Sequence, residues 1–402
     1  MRVAIFGGSF DPFHIGHYEI AKAALASGKI DELLVIPAGD PPHKSAGLAM
    51  GVYRYQMAKL GLQDLKNSKV SRIELARSGR VSYTVQTVRL LREIYNKKGF
   101  ENVEFSLVIG SDVLESFHLW FKPEEVVKEA SLLCAMRGKL NSSEKEKIKK
   151  VAAKLKAELG AKIEFFEMKA KDLSSTELRL AMAKGEIPKK AFPPEVEKFI
   201  KTHQPYRWTD NIKSLSEEDL ARLFSFEQKV WNLMPESRLV HSMNVSMYAL
   251  HLANIHGVDP GRAALAGLLH DVAKYFPKEQ VVKLARVRSI AKDLNTQIAH
   301  GPAGAAFIHR YYGIHDMDML RAIHFHTTAR SGMSPLEKIL FLADKIELGR
   351  NFKDLKEIRE LAEINLDAAL KLCLKEVIKA CKRKKIKAHR LTIEALESIK
   401  LA

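Results

Sequence analysis

Two sets of histidines in this 402-residue chain have the types and spacing to do chemistry. The first lies in Phe6-Gly7-Gly8-Ser9-Phe10-Asp11-Pro12-Phe13-His14-Ile15-Gly16-His17. Arg2 to Phe6 reads as a short buried strand, Gly7 and Gly8 permit a tight turn and close approach of a ligand, and helix resumes from Tyr18 to Leu25. A helix start presents unpaired N–H groups and a partial positive charge. His14 and His17, three residues apart, share one side of its first turn. Two such donors can hold a phosphoryl group as charge builds on it. No Gly-Lys-Ser/Thr follows, so the loop is not of the Walker type.

The second set is spread over the latter half: His241, His270-Asp271, His300, His326 and Asp344. Each stands against an apolar helical pattern, and inward imidazoles and carboxylates need a charge to neutralise them. His324 points nearly opposite His326 on a helix, so His326 is the expected ligand of the two. Imidazoles and carboxylates without a thiolate suit iron, manganese or zinc. His251, His256, His309, His315 and His389 read as surface or capping residues, and Lys382-Arg383-Lys384-Lys385 as a solvated helix end.

The elements that must position the first set alternate. Strand-like runs at residues 33–37, 70–73, 105–109, 132–136 and 163–166 are separated by helical patterns such as residues 81–95 and 144–159. That order predicts a parallel sheet with helices on both faces and ligands at the strand carboxyl ends. Further candidates fall at such ends. Lys44 closes Gly39-Asp40-Pro41-Pro42-His43-Lys44, and Gly110-Ser111-Asp112 precedes Trp120, an acid and an aromatic able to hold a ribose and stack on a flat ring. Arg137 follows the next strand, and Ser174-Ser175-Thr176-Glu177-Leu178-Arg179 supplies hydroxyls at a helix start with an arginine in its first turns. From Leu215 onward nearly every segment has helical spacing. The fold class expected is therefore α/β, Rossmann-like, followed by an all-α domain: residues 1–206, a linker over 207–214, and residues 215–402.

Pro-Pro-His-Lys, Ser82-Tyr83-Thr84-Val85, Gly-Ser-Asp, Trp120 and Ser-Ser-Thr-Glu-Leu-Arg, in that order after the Gly-Gly-Ser-Phe-Asp-Pro-Phe-His-x-Gly-His string, resemble bacterial nicotinate-nucleotide adenylyltransferase. The resemblance implies transfer of AMP from ATP, with Mg²⁺, to nicotinate mononucleotide. It implies that His14, His17, Lys44 and Arg179 handle the ATP phosphates, with Gly7, Gly8, Ser9, Phe10, Gly110, Arg137, Ser175 and Thr176 also against substrate. Thr84, Asp112 and Trp120 match positions around the nicotinate nucleotide. Gln86 and Ser111 depart from the pattern, where an acidic residue and an alanine are usual. The competing acceptors are nicotinamide mononucleotide and a pantetheine phosphate.

The H, HD, H, H, D set resembles the HD-domain metallophosphohydrolases. The strings His-Asp-Val-Ala-Lys274, His-Gly-Pro-x-Gly, His-Thr-Thr and Glu-Lys-Ile-Leu-Phe-Leu-Ala-Asp-Lys-Ile-Glu look like the branch that cleaves diadenosine tetraphosphate symmetrically to ADP. The resemblance implies a core of His241, His270, Asp271 and Asp344, with Asp271 bridging a divalent metal pair completed by His300 and His326. Lys274 and Arg330 would neutralise polyphosphate. A non-catalytic, metal-stabilised module is the competing reading of this half.

Composition narrows the classes. Hydrophobic content of 46% is ample for packed interiors. No apolar run approaches a membrane span, and Met1-Arg2 runs directly into a strand rather than a signal peptide, so a cytoplasmic protein with no membrane partner is expected. Cys134, Cys373 and Cys381 fit no zinc or disulfide framework, which suits a reducing compartment. The net charge of +17 is spread over both halves and fits polyanionic small substrates; no nucleic-acid motif accompanies it.

Overall fold

The computed structural model describes residues 1–39, 49–77, 82–137, 141–169, 173–288 and 296–399, and the chain divides into two compact units, Met1–Arg207 and Trp208–Ala402.

The first unit is built on six parallel strands: β1 (Arg2–Gly8), β2 (Glu32–Pro37), β3 (Ser68–Val70), β4 (Glu104–Gly110), β5 (Ser131–Arg137) and β6 (Ile163–Met168). Their order across the sheet is β3-β2-β1-β4-β5-β6. The connections run outward in both directions from β1 and β4, so those two strands flank the switch point where an open α/β sheet leaves a crevice. Helices α1 (Ile15–Ala26), α2 (Gly51–Gly61), α3 (Thr84–Lys97), α4 (Ser111–Ser116), α5 (Pro123–Glu129), α6 (Ser142–Leu159), α7 (Ser175–Ala183) and α8 (Pro194–His203) complete the unit.

The inner strands read as unbroken apolar runs because both faces are covered. Val3, Ile5, Leu34, Ile36, Phe105, Leu107, Ile109, Leu132 and Cys134 pack with Val85, Val88 and Leu91 of α3, Val126 of α5 and Ile148 and Leu155 of α6. The alternate residues Ala4, Phe6, Leu33 and Val35 are buried as well, on the side where α1 and α2 meet the sheet. β3 is shorter than the apolar run at 70–73 suggests. The Ser71 N–H still reaches Val35 O at 2.8 Å, after which the chain leaves β2, which runs on to Pro37, and turns through residues 73–76.

The second unit is helical: α9 (Thr209–Ile212), α10 (Glu217–Val230), α11 (Glu236–His256), α12 (Pro260–Leu269), α13 (Lys278–Arg288), α14 (Thr296–Tyr312), α15 (Met317–Phe325), α16 (Pro335–Ile346), α17 (Leu355–Ile364), α18 (Leu366–Arg383) and α19 (Arg390–Ser398). Residues 207–214, read from the sequence as a connection, hold the one-turn α9. Trp208 before it stacks on His251 (ring centroids 4.9 Å, 18°) and meets Tyr248 edge-on, both on α11. His389 caps α19 by accepting the Leu391 N–H. α11 and α16 form the centre of the unit; α16 buries nearly every residue from Leu336 to Ile346, Asp344 among them. Gly267 lets α12 cross α11 closely, since a Cβ there would lie 2.6 Å from Ser246 Cα. Among the described residues no helix is long and apolar enough to cross a membrane.

Candidate active sites

In the first unit the two histidines build the start of α1 out of their own imidazoles. His14 is the N-cap residue; its Nδ1 accepts the Gly16 N–H at 3.1 Å, and His17 Nδ1 accepts the His14 N–H at 3.2 Å. The rings stack at 3.7 Å and 21°. With each Nδ1 occupied as an acceptor, each neutral ring carries its proton on Nε2, leaving two parallel N–H donors for a ligand. Burial pushes His14 down to about 4, and burial together with the His14 ring holds His17 well below the usual imidazole range. At neutral pH both are therefore uncharged donors.

Gly7 and Gly8 play different parts in this corner. A Cβ on Gly7 would meet nothing within 4 Å, which leaves that side open to a ligand, whereas one on Gly8 would lie 3.1 Å from Phe10 Cζ. Phe10, expected against substrate, is instead fully buried: its φ of 48° turns the side chain under the loop, where it packs on Phe6, Phe13 and His17 at centroid distances of 5.2, 5.7 and 5.0 Å. That backbone region is costly for a bulky residue, and here it supports the His17 ring from behind.

Asp11 and Arg54, which sequence reasoning did not single out, tie the corner together. Asp11 is fully buried, and its Oδ1 accepts the Tyr206 hydroxyl at 2.8 Å and the Ala49 N–H at 3.1 Å. Its Oδ2 has no hydrogen-bond partner, with Arg179 Nε 3.6 Å away. Burial raises the Asp11 carboxyl, opposed by Arg54, Tyr206 and Arg179. Arg54, 3% exposed, donates to the carbonyls of Ser9, Ala38 and Ala49 and so joins the ends of β1 and β2. The signal for Asp11 was its place inside the Gly-rich string; nothing in the sequence pointed to Arg54.

Arg179 comes into this corner as the sequence suggested. Its Nη1 donates to Asp11 O at 2.7 Å and its Nη2 to Thr176 Oγ1 at 3.2 Å. Ser175 and Thr176 are the first residues of α7, capped by Ser174 through the Glu177 N–H. At the end of β4, a Cβ on Gly110 would lie 2.4 Å from Asp112 Oδ1, so the glycine makes room for the acid to fold back over the strand end. Thr84 opens α3, whose N-cap Tyr83 supplies no side-chain cap. Trp120 is half-buried, 5.0 Å from Phe117. Lys44 lies in 40–48, outside the described residues; Arg137 ends β5, and its side chain is also outside them.

In the second unit five separate elements bring six side chains to one point. His241 sits in the second turn of α11, His270 and Asp271 follow α12, His300 lies in α14, His326 follows α15 and Asp344 lies in α16. All six are buried. His241 Nε2 is 3.1 Å from Asp344 Oδ1, and His270 Nε2 is 3.7 Å from the same oxygen and 3.3 Å from Asp271 Oδ2. His300 and His326 approach the other oxygen, Asp271 Oδ1, at 3.0 and 3.5 Å, and their Nε2 atoms face each other at 3.2 Å. Asp271 thus turns one oxygen to each half of the cluster.

Two of these imidazoles end helices in the same way. His270 and His326 are the C-cap residues of α12 and α15, and each gives its Nδ1–H to the carbonyl three residues back, Gly267 O and Ile323 O, both at 2.7 Å. A helix end leaves such carbonyls unpaired, so the cap fixes the tautomer and leaves the Nε2 lone pair free. His270 Nε2 is buried with no hydrogen-bond partner. Burial lowers His300 and His326, keeping them neutral, while Asp271, although burial opposes it, is held well below the carboxylate range by His270, His300 and His326. An orphaned His270 lone pair, the facing neutral imidazoles of His300 and His326, and two ionised carboxylates fit a divalent cation pair.

Cations border the cluster. Arg238 and Lys274 each lie 3.0 Å from Asp271 Oδ2, and Lys345 and Arg350 pair with Asp344. Arg330, expected to meet phosphate, is bidentate on Glu337 at 2.7 and 2.6 Å and so secures the capping box that starts α16. Arg238 and Glu347 went unnoticed in the sequence, though each stands three residues from a candidate ligand on a helical pattern.

Residues 5–181 match the cytidylyltransferase-like family and residues 238–349 the HD domain. A Caldicellulosiruptor bescii protein named "Probable nicotinate-nucleotide adenylyltransferase" is 32% identical over 50% of this chain and 96% of its own. The Bacillus subtilis "Bis(5'-nucleosyl)-tetraphosphatase, symmetrical" is 39% identical over 34% of this chain and 75% of its own. The first half belongs to the nicotinate-nucleotide adenylyltransferase family and the second to the symmetrical bis(5'-nucleosyl)-tetraphosphatase branch of the HD domain. Both occur in one chain elsewhere: a Mycoplasma pneumoniae protein named "Probable nicotinate-nucleotide adenylyltransferase/Ap4A hydrolase" is 28% identical over 93% of this chain and 98% of its own. Within the adenylyltransferase-family half the His14–His17 corner lies at the end of β1, beside the β1–β4 switch point, and within the HD domain the buried His-Asp cluster is enclosed by α11, α12, α14, α15 and α16.

Proposed function

We propose that the chain is bifunctional: its first unit transfers AMP from ATP to nicotinate mononucleotide, giving nicotinate adenine dinucleotide and pyrophosphate, and its second cleaves diadenosine tetraphosphate to ADP with divalent metal. The acceptor's phosphate oxygen displaces pyrophosphate in line at the α-phosphorus, so the protein positions the reactants and stabilises charge rather than attacking itself. His14 and His17 donate through Nε2–H to the phosphate oxygens, a reading carried by their paired Nδ1 acceptance of backbone N–H groups. Arg179 adds a charged fork held by Asp11 and Thr176, and Lys44 a second cation. Mg²⁺ accompanies the triphosphate. Asp112 and Trp120 at the end of β4, with Thr84 at the start of α3, receive the acceptor nucleotide.

In the second unit His241, His270, Asp271, His300, His326 and Asp344 would hold the metal pair, a reading carried by the orphaned His270 Nε2. Bound divalent ions supply neutralisation of the phosphoryl oxygens and activation of water. Lys274, Arg238 and Arg350 stand where polyphosphate would lie once the carboxylates they now touch are neutralised by metal. The setting is the cytoplasm, where adenine nucleotides and reduced thiols coexist.

Labelled ATP offered with nicotinate or nicotinamide mononucleotide tests the first activity, and Mn²⁺-dependent ADP release from diadenosine tetraphosphate the second. Preference for the nicotinamide acceptor would overturn the substrate assigned to the first unit. Wild-type protein that releases no ADP with any of Mn²⁺, Fe²⁺ or Zn²⁺ would overturn the second.

A further inference from the structure

His241 differs from His270 and His326 in what its outer nitrogen meets. His270 and His326 end their helices and find an unpaired carbonyl of the last turn at 2.7 Å. His241 lies inside α11, where the carbonyls of the preceding turn are already spent on the helix itself. Its Nδ1 therefore needs a partner from another element, and it lies 3.1 Å from Glu347 Oε1, at the C-cap of α16 and three residues beyond Asp344.

That carboxylate is built in. Glu347 is 3% exposed. Its Oε2 accepts Asn244 Nδ2–H at 2.8 Å and the Gly349 N–H, and Arg350 Nε lies 3.6 Å from Oε1. Asn244 is three residues after His241 on α11, so the same helix face presents both the imidazole and the amide that hold the carboxylate. Gly349 completes the enclosure: a Cβ there would lie 3.0 Å from Glu347 Oε2 and 3.1 Å from Asn244 Nδ2.

We propose that Glu347 is the positioning carboxylate of the metal cage, fixing the tautomer and ring plane of His241 so that its Nε2 lone pair faces the metal beside Asp344. A carboxylate partner increases the donor strength of an imidazole more than a neutral carbonyl does, which makes His241 a stronger nitrogen donor than His270 or His326. The inference rests on the reading of the second unit as a metal site.

Co²⁺ is the probe, titrated into metal-free full-length protein and followed by its visible absorption. Glu347→Gln keeps the shape of the side chain and removes its charge. The variant is expected to bind Co²⁺ 10- to 100-fold more weakly, with a shifted absorption band, while the adenylyl transfer rate stays at the wild-type value. A carboxylate that only stabilised the fold would lower the melting temperature of the metal-free variant and leave Co²⁺ affinity and spectrum unchanged, and that result overturns the proposal. If Glu347→Gln does not fold, Asn244→Ala decides: weaker Co²⁺ binding supports the role and wild-type binding overturns it. Wild-type protein that takes up no Co²⁺ overturns the metal reading itself, separately from Glu347.

Discussion

At the scale of single residues, what matters in both sites is which imidazole nitrogen is committed to the protein. In the first unit Nδ1 accepts from the backbone and the rings offer N–H; in the second, Nδ1 of His270 and His326 donates to the backbone and the rings offer lone pairs. The same side chain thus turns an N–H outward in one cluster and a lone pair outward in the other. His17→Ala is expected to lower adenylyl transfer about 100- to 1,000-fold, the loss typical of one preorganised donor to developing charge; labelled AMP incorporation measures it, and near-wild-type turnover would remove His17 from the mechanism. Asp271→Asn takes the bridging charge from the second cluster. Metal-dependent ADP release should fall at least as far while adenylyl transfer is unaffected, and parallel loss of both activities would contradict independent sites. The spacing of these histidines was legible in the sequence because three-residue separation and the His-Asp pair are local facts. The tautomer of His241 was not, since it depends on Glu347, 106 residues away.

At the scale of elements, the sites are made at helix ends and close crossings. Arg330 shows how an element can claim a residue that the sequence offered to the ligand: its guanidinium balances the fully buried Glu337 at the start of α16. Arg330→Ala leaves that carboxylate unpaired, which costs about 3–5 kcal/mol. Thermal unfolding should show the second unit melting lower, and a raised KM for diadenosine tetraphosphate at unchanged stability would return Arg330 to the substrate. Gly267 has two duties, admitting Ser246 of α11 and lending its carbonyl to His270. Gly267→Ala forces α12 outward against backbone, and lower metal affinity together with a lower melting temperature is the expected outcome of a Mn²⁺ titration and a melt on the same sample. The strands were legible because β1, β2, β4 and β5 are buried on both faces and their apolar runs are continuous. β3 covers Ser68–Val70 rather than 70–73 because at this edge the chain turns away through residues 73–76, although its neighbour β2 runs on to Pro37.

At the scale of the molecule, the two units are independently cored, and their pH responses should differ. His14 is neutral in the folded first unit down to about 4, whereas in the unfolded chain an imidazole takes its proton near 6.5. The unfolded state therefore binds more protons between those values, and stability is lost as pH falls from about 6.5 toward 4, by on the order of 3 kcal/mol. Denaturant unfolding of the first unit at pH 7 and pH 4.5, with His14→Gln as the comparison, measures it; an equal loss in the variant would assign the effect to other groups.

Sequence by itself determined the class of each unit, the glycine-rich corner after β1 and the five helical segments that bring the clustered histidines and aspartates, because period, glycine placement and short spacings are properties of neighbouring residues. The tertiary structure alone decided which of these residues meet: that the Phe10 side chain packs against the His17 ring, that Asp11 and Arg54 bind the corner together, that Arg330 pairs with Glu337 at a helix start and that Glu347 stands behind His241. Asp11, Arg54 and Glu347 depend on side chains brought together from distant segments by burial of apolar faces, and no local pattern in the chain records which distant partner a buried charge will find.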